Sequence, residues 1–361
     1  MERLLMKGNE ALAEAAIRAG CKCFFGYPIT PQTEISAYFA KNMPKRNGVF
    51  LQAESEIAAV NMVLGASAAG VRAMTSSSSP GISLKSEGIS YLAASDLPCV
   101  IVNVQRGGPG LGGIQPSQSD YFQAVKAAGH GDFHLIVYAP ASVQETVDMT
   151  YLAFENADRY RMPVMILSDG LLGQMMEPVS FPDTEIKLPE KEWACTGHKH
   201  RRTHNIINSL YLQPDMLEKS VNDRFMRYER VKSECTLSEE YLCSDADIVV
   251  TAFGASARIA RSAVDSARKK GIRAGLFRPK TLYPFPETEL KASCRNASAV
   301  LCTEMNMGQM VYDIRLILEN TLPVEFYGRT GGNIPSPEDI LTQIEKMNRR
   351  IKGGALSGSS I

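Results

Sequence analysis

The sequence predicts an α/β protein, with a doubly wound parallel sheet over residues 1–184 and a smaller α/β unit over residues 246–348. Three observations lead there. Residues 97–104, LPCVIVNV, are apolar without the alternation of a half-exposed strand, as expected of a strand covered on both faces. Up to about residue 170, β-type runs alternate with segments of helical periodicity, the order that builds parallel sheets by crossover connections. A second strand–helix–strand succession starts at Ala246, after a polar stretch at 185–245 with little periodicity except near Asp215–Glu234.

In chain order, residues 7–19 read as a helix, because Ala11, Leu12, Ala15, Ala16 and Ala19 recur at helical spacing and Gly20 ends it. Residues 21–25 are a strand. The turn after it, 26–31, is stiffened by Pro28 and Pro31. A helix at 32–42 and a strand at 48–52 lead to two acids, Glu54 and Glu56. The helix expected at 57–70 is too apolar for a surface position, and Gly65 to Gly70 are all small, which lets a helix approach its neighbours closely. A strand at 71–75 then opens into a hydroxyl-rich loop, Ser76 to Ser79 with Pro80 and Gly81, before a helix at 86–94. The strand at 97–104 ends in Gln105 and Arg106, followed by five glycines within 107–113. Strands at 135–138 and 164–169 flank a helix at 143–158. Residues 185–245 form a connection that wraps a neighbour; its basic run, 198–202, reads as a solvated face rather than an anion site. The second unit has strands at 247–252, 272–278 and 299–304 and a helix at 257–270. The segment from Glu304 to Met310 caps the next helix, and 349–361 is a flexible tail.

Composition sets outer bounds. The 361 residues are 44% apolar and 22% charged with a formal net charge of zero, an ordinary globular composition with no electrostatic footprint for nucleic acid or an anionic membrane. No apolar run spans a bilayer, and the first twenty residues carry acids and no cleavage pattern, so a cytoplasmic location is expected. Of the eight cysteines only Cys21 and Cys23 lie close together, and no C-x-x-C occurs. This spacing does not suit an iron–sulfur cluster, so any cluster belongs on another chain.

Three places carry candidate chemistry. A carboxylate at the mouth of an apolar helix is costly unless something pairs with it or uses it, which singles out Glu54 and Glu56; both also suit a helix first turn as plain dipole complements. Arg106 stands at the carboxyl end of a covered strand before a glycine loop, where α/β sheets place ligands, and its fork suits a carboxylate; it could equally be a solvated loop arginine. The third is the proline-flanked turn with Tyr27, Ile29 and Thr30, which by itself reads as a turn joining strand to helix.

These motifs together resemble the α subunit of a thiamine-diphosphate-dependent 2-oxoacid:ferredoxin oxidoreductase. The resemblance rests on Tyr27-Pro28-Ile29-Thr30-Pro31 and on Glu56, followed nine residues later by Gly65 and then Ala66-Ser67-Ala68-Ala69-Gly70. Arg106 in its loop and the stretch 278–286 add to it. It implies a pyrimidine-binding thiamine-diphosphate domain and a transketolase-C-terminal-like domain. It places Glu56, not Glu54, on a ring nitrogen of the cofactor, and puts Arg106 and Thr30 on the 2-oxoacid beside Tyr27 and Ile29. Ser168-Asp169-Gly170 invites comparison with the Gly-Asp-Gly of the magnesium–diphosphate motif, yet no asparagine lies between Asn156 and Asn205. The diphosphate, Mg2+ and iron–sulfur clusters are therefore expected on partners: a β subunit, with γ and ferredoxin-like subunits, passing electrons to ferredoxin and the acyl group to coenzyme A. Leu111 and Ile114 favour a branched substrate, 2-oxoisovalerate, over 2-oxoglutarate. Two rival readings remain open at this point: the β-type subunit of a lipoamide-linked dehydrogenase, and a non-catalytic assembly subunit.

Overall fold

The computed structural model describes residues 3–183 and 186–354. The first half contains strands β1 (Leu4–Lys7), β2 (Cys23–Gly26), β3 (Val49–Gln52), β4 (Ala73–Ser77), β5 (Cys99–Gln105), β6 (Ile136–Tyr138), β7 (Pro163–Asp169) and β8 (Met176–Val179). Its helices are α1 (Gly8–Arg18), α2 (Thr33–Asn42), α3 (Glu56–Ala68), α4 (Ser79–Ala94), α5 (Tyr121–Val125), α6 (Val143–Tyr160) and α7 (Gly170–Gln174). Then come α8 (Pro214–Cys235), β9 (Ser238–Tyr241), β10 (Ile248–Thr251), α9 (Gly254–Lys269), β11 (Ala274–Pro279) and β12 (Thr281–Tyr283). The chain continues through α10 (Glu287–Ser293), β13 (Ala299–Glu304), α11 (Met310–Leu318), β14 (Val324–Gly328) and α12 (Pro337–Lys352).

Among the described residues the first sheet has the order β12-β6-β7-β5-β4-β2-β3, parallel except for the antiparallel edge strand β12. Its covered strands show why alternation is missing. Along β5, Cys99 and Ile101 enter the core shared with α3 and α4, while Val100, Val102 and Val104 enter the opposite core with α1, α2 and α6. The second sheet, β14-β13-β10-β11-β9, is parallel but for β9. One of its faces joins the α3–α4 core and the other packs α9 and α12. No described helix is long and apolar enough to cross a membrane.

The structure corrects several expectations. The serine run is not a loop: Ser76 and Ser77 are the last residues of β4, and α4 begins at Ser79 rather than at residue 86. Central strand pairing to β5 outweighs the weak strand preference of serine, and Pro80 in the first helical turn needs no donor. Helix α3 is not enclosed by this chain, for Ile57, Asn61 and Gly65 lie on an exposed face. The connection at 185–245 contains the 22-residue α8, whose buried stripe is Arg224, Tyr228, Val231 and Cys235, and β9, an edge strand of the second sheet. Strand β1 pairs antiparallel with β8, a contact between distant segments that local patterning does not reveal. In the expected tail, α12 runs on through Lys352, and residues 355–361 lie outside the described residues.

Two devices lock the halves together. Gln118, 1% exposed, donates to the Phe253 carbonyl (2.8 Å) and accepts from the Ser256 hydroxyl (2.6 Å) and the Met305 N–H (3.0 Å). On β11, the buried Arg278 makes a two-pronged bond to Glu145 of α6 (2.8 and 2.6 Å) and reaches Glu239 of β9 (3.0 Å). Burial pushes the Glu145 carboxyl up, but the Arg278 hydrogen bonds and charge, with the Ala141 N–H and Lys280, overcome it and hold Glu145 at about 2. The folded value lies below the ordinary 4.5. The pair's contribution is thus complete above that ordinary value and is lost as pH falls towards 2. Arg278→Met is expected to lower stability by about 1.5–3 kcal/mol at neutral pH, because it removes the two-pronged bond and leaves Glu145 only Lys280 and the Ala141 N–H. It is also expected to flatten the stability profile across that acid window. Denaturant titrations at a series of pH values check both; an unchanged profile contradicts the assignment.

Candidate functional site

Strands β5, β4, β2 and β3 are consecutive neighbours and run parallel, so their carboxyl ends emerge on one edge. That edge carries, in order, Arg106, the Ser77–Ser78 corner, the 27–31 turn and Glu56. In an open α/β sheet this is where ligands bind.

Arg106 is 8% exposed. Its Nη1 donates to the Thr30 carbonyl at 3.0 Å and its Nη2 to the Leu111 carbonyl at 3.3 Å. Its buried Nε has no partner among the described residues. The guanidinium therefore joins the two loops that the sequence singled out. The 27–31 turn is pinned elsewhere too: Gln32 donates to the Tyr27 carbonyl (3.1 Å), Asn9 to the Pro31 carbonyl (2.9 Å), and Ser76 donates to Gln32 (2.5 Å). Thr30 meets Arg106 through its main chain, and its side chain is exposed, while Tyr27 and Ile29 are half-buried. The loop after Arg106 is braced by the second half of the chain, where a Cβ at Gly332, with φ +91°, would run into Gln115. Leu111 and Ile114 remain 87% and 57% exposed on this chain.

Ser55 caps α3 by accepting the Ala58 N–H at 3.1 Å, and Glu56 is the first helical residue. Glu54 is exposed, whereas Glu56 is 6% exposed, so burial separates the two acids that spacing left open. Among the described residues nothing donates a hydrogen bond to the Glu56 carboxylate. Beside it, a Cβ added to Gly81 would collide with Ser77 Oγ and fall 2.7 Å from Glu56 Oε1. The hydroxyls of Thr75, Ser77 and Ser78 are buried and without partners among the described residues. A carboxylate, orphaned hydroxyls and a space that any side chain at position 81 would fill suit a flat ring with polar edges, and so fit the aminopyrimidine of thiamine diphosphate.

Residues that sequence reasoning missed hold this arrangement in place. Ser79 donates to Asp120 (2.6 Å) and accepts the Arg106 N–H (3.0 Å). Asn103 accepts the Ser79 N–H (3.1 Å) and donates to Asp120 (2.9 Å). Burial pushes the Asp120 carboxyl up, opposed by Ser79 and Asn103. The signal was present: Asn103 is the one amide in an otherwise apolar run. Lys85 is 0% exposed on α4 and donates to the Glu56 main-chain carbonyl at 3.2 Å.

Asp169 serves the fold. Its carboxylate accepts the Leu171 and Leu172 N–H groups (2.8 and 3.1 Å) and so caps α7. Burial raises it to about 6 against those bonds and the Ala255 N–H. The basic run at 198–202 lies on the surface, where Arg202 turns back on the carbonyls of Ala194, Gly197 and Thr203. Among the described residues no group of three or more His, Cys, Asp or Glu side chains is arranged to hold a metal ion.

A family described as pyruvate flavodoxin/ferredoxin oxidoreductase, thiamine diphosphate-binding, matches residues 14–237; pyruvate:ferredoxin oxidoreductase core domain II matches residues 246–340. The ketoisovalerate oxidoreductase subunit VorB of Methanothermobacter thermautotrophicus is 47% identical over 348 residues, covering 96% of this chain and 98% of that relative. Among solved structures, the 2-oxoglutarate:ferredoxin oxidoreductase from Magnetococcus marinus, with 2-oxoglutarate, coenzyme A and succinyl-CoA bound, matches with a TM-score of 0.87 at 30% identity. That match covers 96% of this chain, which spans 65% of the other. A split-gene transketolase, an inactive beta4 tetramer, shares the fold alone, with a TM-score of 0.59 at 16% identity over 94% of this chain and 97% of that one.

Proposed function

This chain belongs to the thiamine-diphosphate-dependent 2-oxoacid:ferredoxin oxidoreductases, and from that premise we propose that it is the subunit presenting the cofactor's pyrimidine site in a complex that oxidises 2-oxoisovalerate. In this reading the 2-oxoacid is decarboxylated to isobutyryl-coenzyme A and carbon dioxide, and two electrons leave through iron–sulfur clusters to ferredoxin. The observation that carries the reading is Glu56, a buried residue whose carboxylate accepts no hydrogen bond from the described residues, at the edge where Arg106 and the Thr30 turn meet.

Bound thiamine diphosphate supplies the nucleophilic carbon and the electron sink for decarboxylation. The chain's own residues supply position and charge. Glu56 accepts and returns a proton at a ring nitrogen, and Gly81 leaves the ring its space. Arg106, with one buried donor to spare, holds the substrate carboxylate, with Thr30, Tyr27 and Ile29 alongside. Asp169 is committed to capping α7, which favours a partner β subunit as the holder of the diphosphate and Mg2+. Clusters on the β, γ and ferredoxin-like subunits complete the electron path. The edge strand β3 exposes Val49 and Leu51, and α3 and α4 expose Ile57 and Leu84, apolar surface next to Glu56 that suits a docked partner.

The substrate choice is supported by the 47% identity to the ketoisovalerate subunit and by the apolar Leu111 and Ile114; the 30% match to a 2-oxoglutarate enzyme keeps that acid as the rival. Turnover of the assembled complex tests it. We expect 2-oxoisovalerate to exceed 2-oxoglutarate in kcat/KM by about 10²-fold or more, since Leu111 and Ile114 offer a second carboxylate no counter-charge. Other branched acids should differ by only about 10–200-fold per methylene. A preference for 2-oxoglutarate refutes the choice.

A further inference from the structure

We propose that Lys85 is a positioning residue for Glu56: its buried ammonium, anchored on the Glu56 main-chain carbonyl, holds positive charge behind the carboxylate. That charge biases the proton shared with a bound ring nitrogen towards the ring. The inference rests on the assignment of Glu56 to the cofactor and goes beyond it by naming what tunes the acid.

The geometry is unusual for a lysine. Lys85 lies on the face of α4 that also carries Ile82, Gly88, Ile89 and Leu92, all buried. Its ammonium has three N–H groups, and the Glu56 carbonyl at 3.2 Å is its sole acceptor among the described residues. A wholly buried ammonium with one neutral acceptor is costly, and a methionine would fill the same space at no electrostatic expense. Its stabilising partner is the carboxylate next door.

No other charge competes at close range. Helix α4 packs chiefly against α3, β5 and β7, and α5 reaches it through Gln123, which donates to Ser83; the ionisable residue of α5, Tyr121, is pushed up by burial and bonded to Asp313. Glu56 is the sole ionisable residue of α3, and β5 carries only Cys99, whose thiol burial pushes up far out of range. On β7, Asp169 is bonded to main-chain N–H groups of α7. On α4 itself Glu87 and Tyr91 are exposed and bonded to each other. Asp120 and Arg106 meet α4 at Ser79, and the His130 ring packs on Tyr91 at the other end. Burial brings the Lys85 ammonium down to about 8 against the pull of Glu56, so its charge is lost in the mildly alkaline range.

The test uses the assembled complex loaded with thiamine diphosphate and reads the near-ultraviolet circular dichroism of the bound aminopyrimidine, which reports its protonation and tautomer, together with cofactor affinity. The wild-type signal is expected to titrate near the about 8 of Lys85. Lys85→Met is expected to abolish that titration and to weaken cofactor binding by about tenfold, matching a tenfold fall in the proton affinity of the bound ring. The KM for the 2-oxoacid should stay within about twofold, because Lys85 does not approach the Arg106 loop. A Lys85→Met complex with the wild-type titration and affinity overturns the proposal. Should that variant fail to assemble, Lys85→Gln, which keeps a donor for the Glu56 main-chain carbonyl and loses the charge, is read in its place, and a wild-type spectrum and affinity there overturn the proposal equally. Glu56→Gln separates the two layers. If it leaves the spectrum unchanged, the Glu56 assignment is lost; if it alters the spectrum while Lys85→Met does not, only the role of Lys85 is lost.

Discussion

Glu56→Ala in the otherwise intact complex is expected to lower 2-oxoacid oxidation by roughly 10²–10⁴-fold, the range for removing a positioned acid–base group. The fold should tolerate the change. Ser55 keeps the α3 cap, and the lost carboxylate makes no hydrogen bond among the described residues, so little native structure depends on it. Lys85 loses the charge that stabilises its ammonium but keeps its bond to the main-chain carbonyl at position 56, and it can shed its proton, which limits the cost to the fold. The variant should therefore assemble, bind the diphosphate end of the cofactor on the partner and fail at the ring. The measurement is steady-state turnover beside cofactor content of the purified complex. Activity within about threefold of wild type would refute the catalytic assignment and revive the reading of this chain as an assembly subunit. A complex that loses activity only because it falls apart is told apart by its sedimentation.

What the sequence made legible follows from which interactions are local. Strand β5 was visible because burial on both faces removes alternation, and Asn103 in it was a readable exception that leads to Asp120 and Ser79. The start of α4 was hidden, since serines favour loops until strand pairing with β5 overrides them; Pro80 was the cue, as proline fits a first helical turn. The apolar character of α3 was read as burial in this chain. Composition cannot separate a helix covered by its own core from one awaiting another chain, and the exposed Ile57 and Gly65 show the difference. The stripe of α8 at 224, 228, 231 and 235 showed as periodicity near Asp215–Glu234, but the surrounding charge kept that stretch from being read as a packed helix. At the site, Glu56, Arg106 and Thr30 came from motif and position. Their supports are contacts between residues far apart in sequence, such as Arg106 on the Thr30 carbonyl and Lys85 on that of Glu56, and these need the register of four strands.

Those long-range contacts make the consequences of changing Arg106 specific. Arg106→Lys keeps the charge but not the fork, and a single ammonium cannot span the Thr30 and Leu111 carbonyls while offering a third donor to a substrate. Hydrogen bonds to a charged group contribute about 1.5–3 kcal/mol each, so losing one from the substrate's carboxylate corresponds to roughly 10–10²-fold in kcat/KM. The loss should be equal for 2-oxoisovalerate and 2-oxoglutarate, because both present the same carboxylate beside the keto group. It should also exceed any fall in thermal stability, since the Arg106 main chain stays fixed by Ser79, Asn103 and Asp120. Kinetics with both acids and a melting curve of the same preparation check this. If Arg106→Lys melts well below wild type yet keeps its kcat/KM, Arg106 is a strut between two loops and does not hold the substrate.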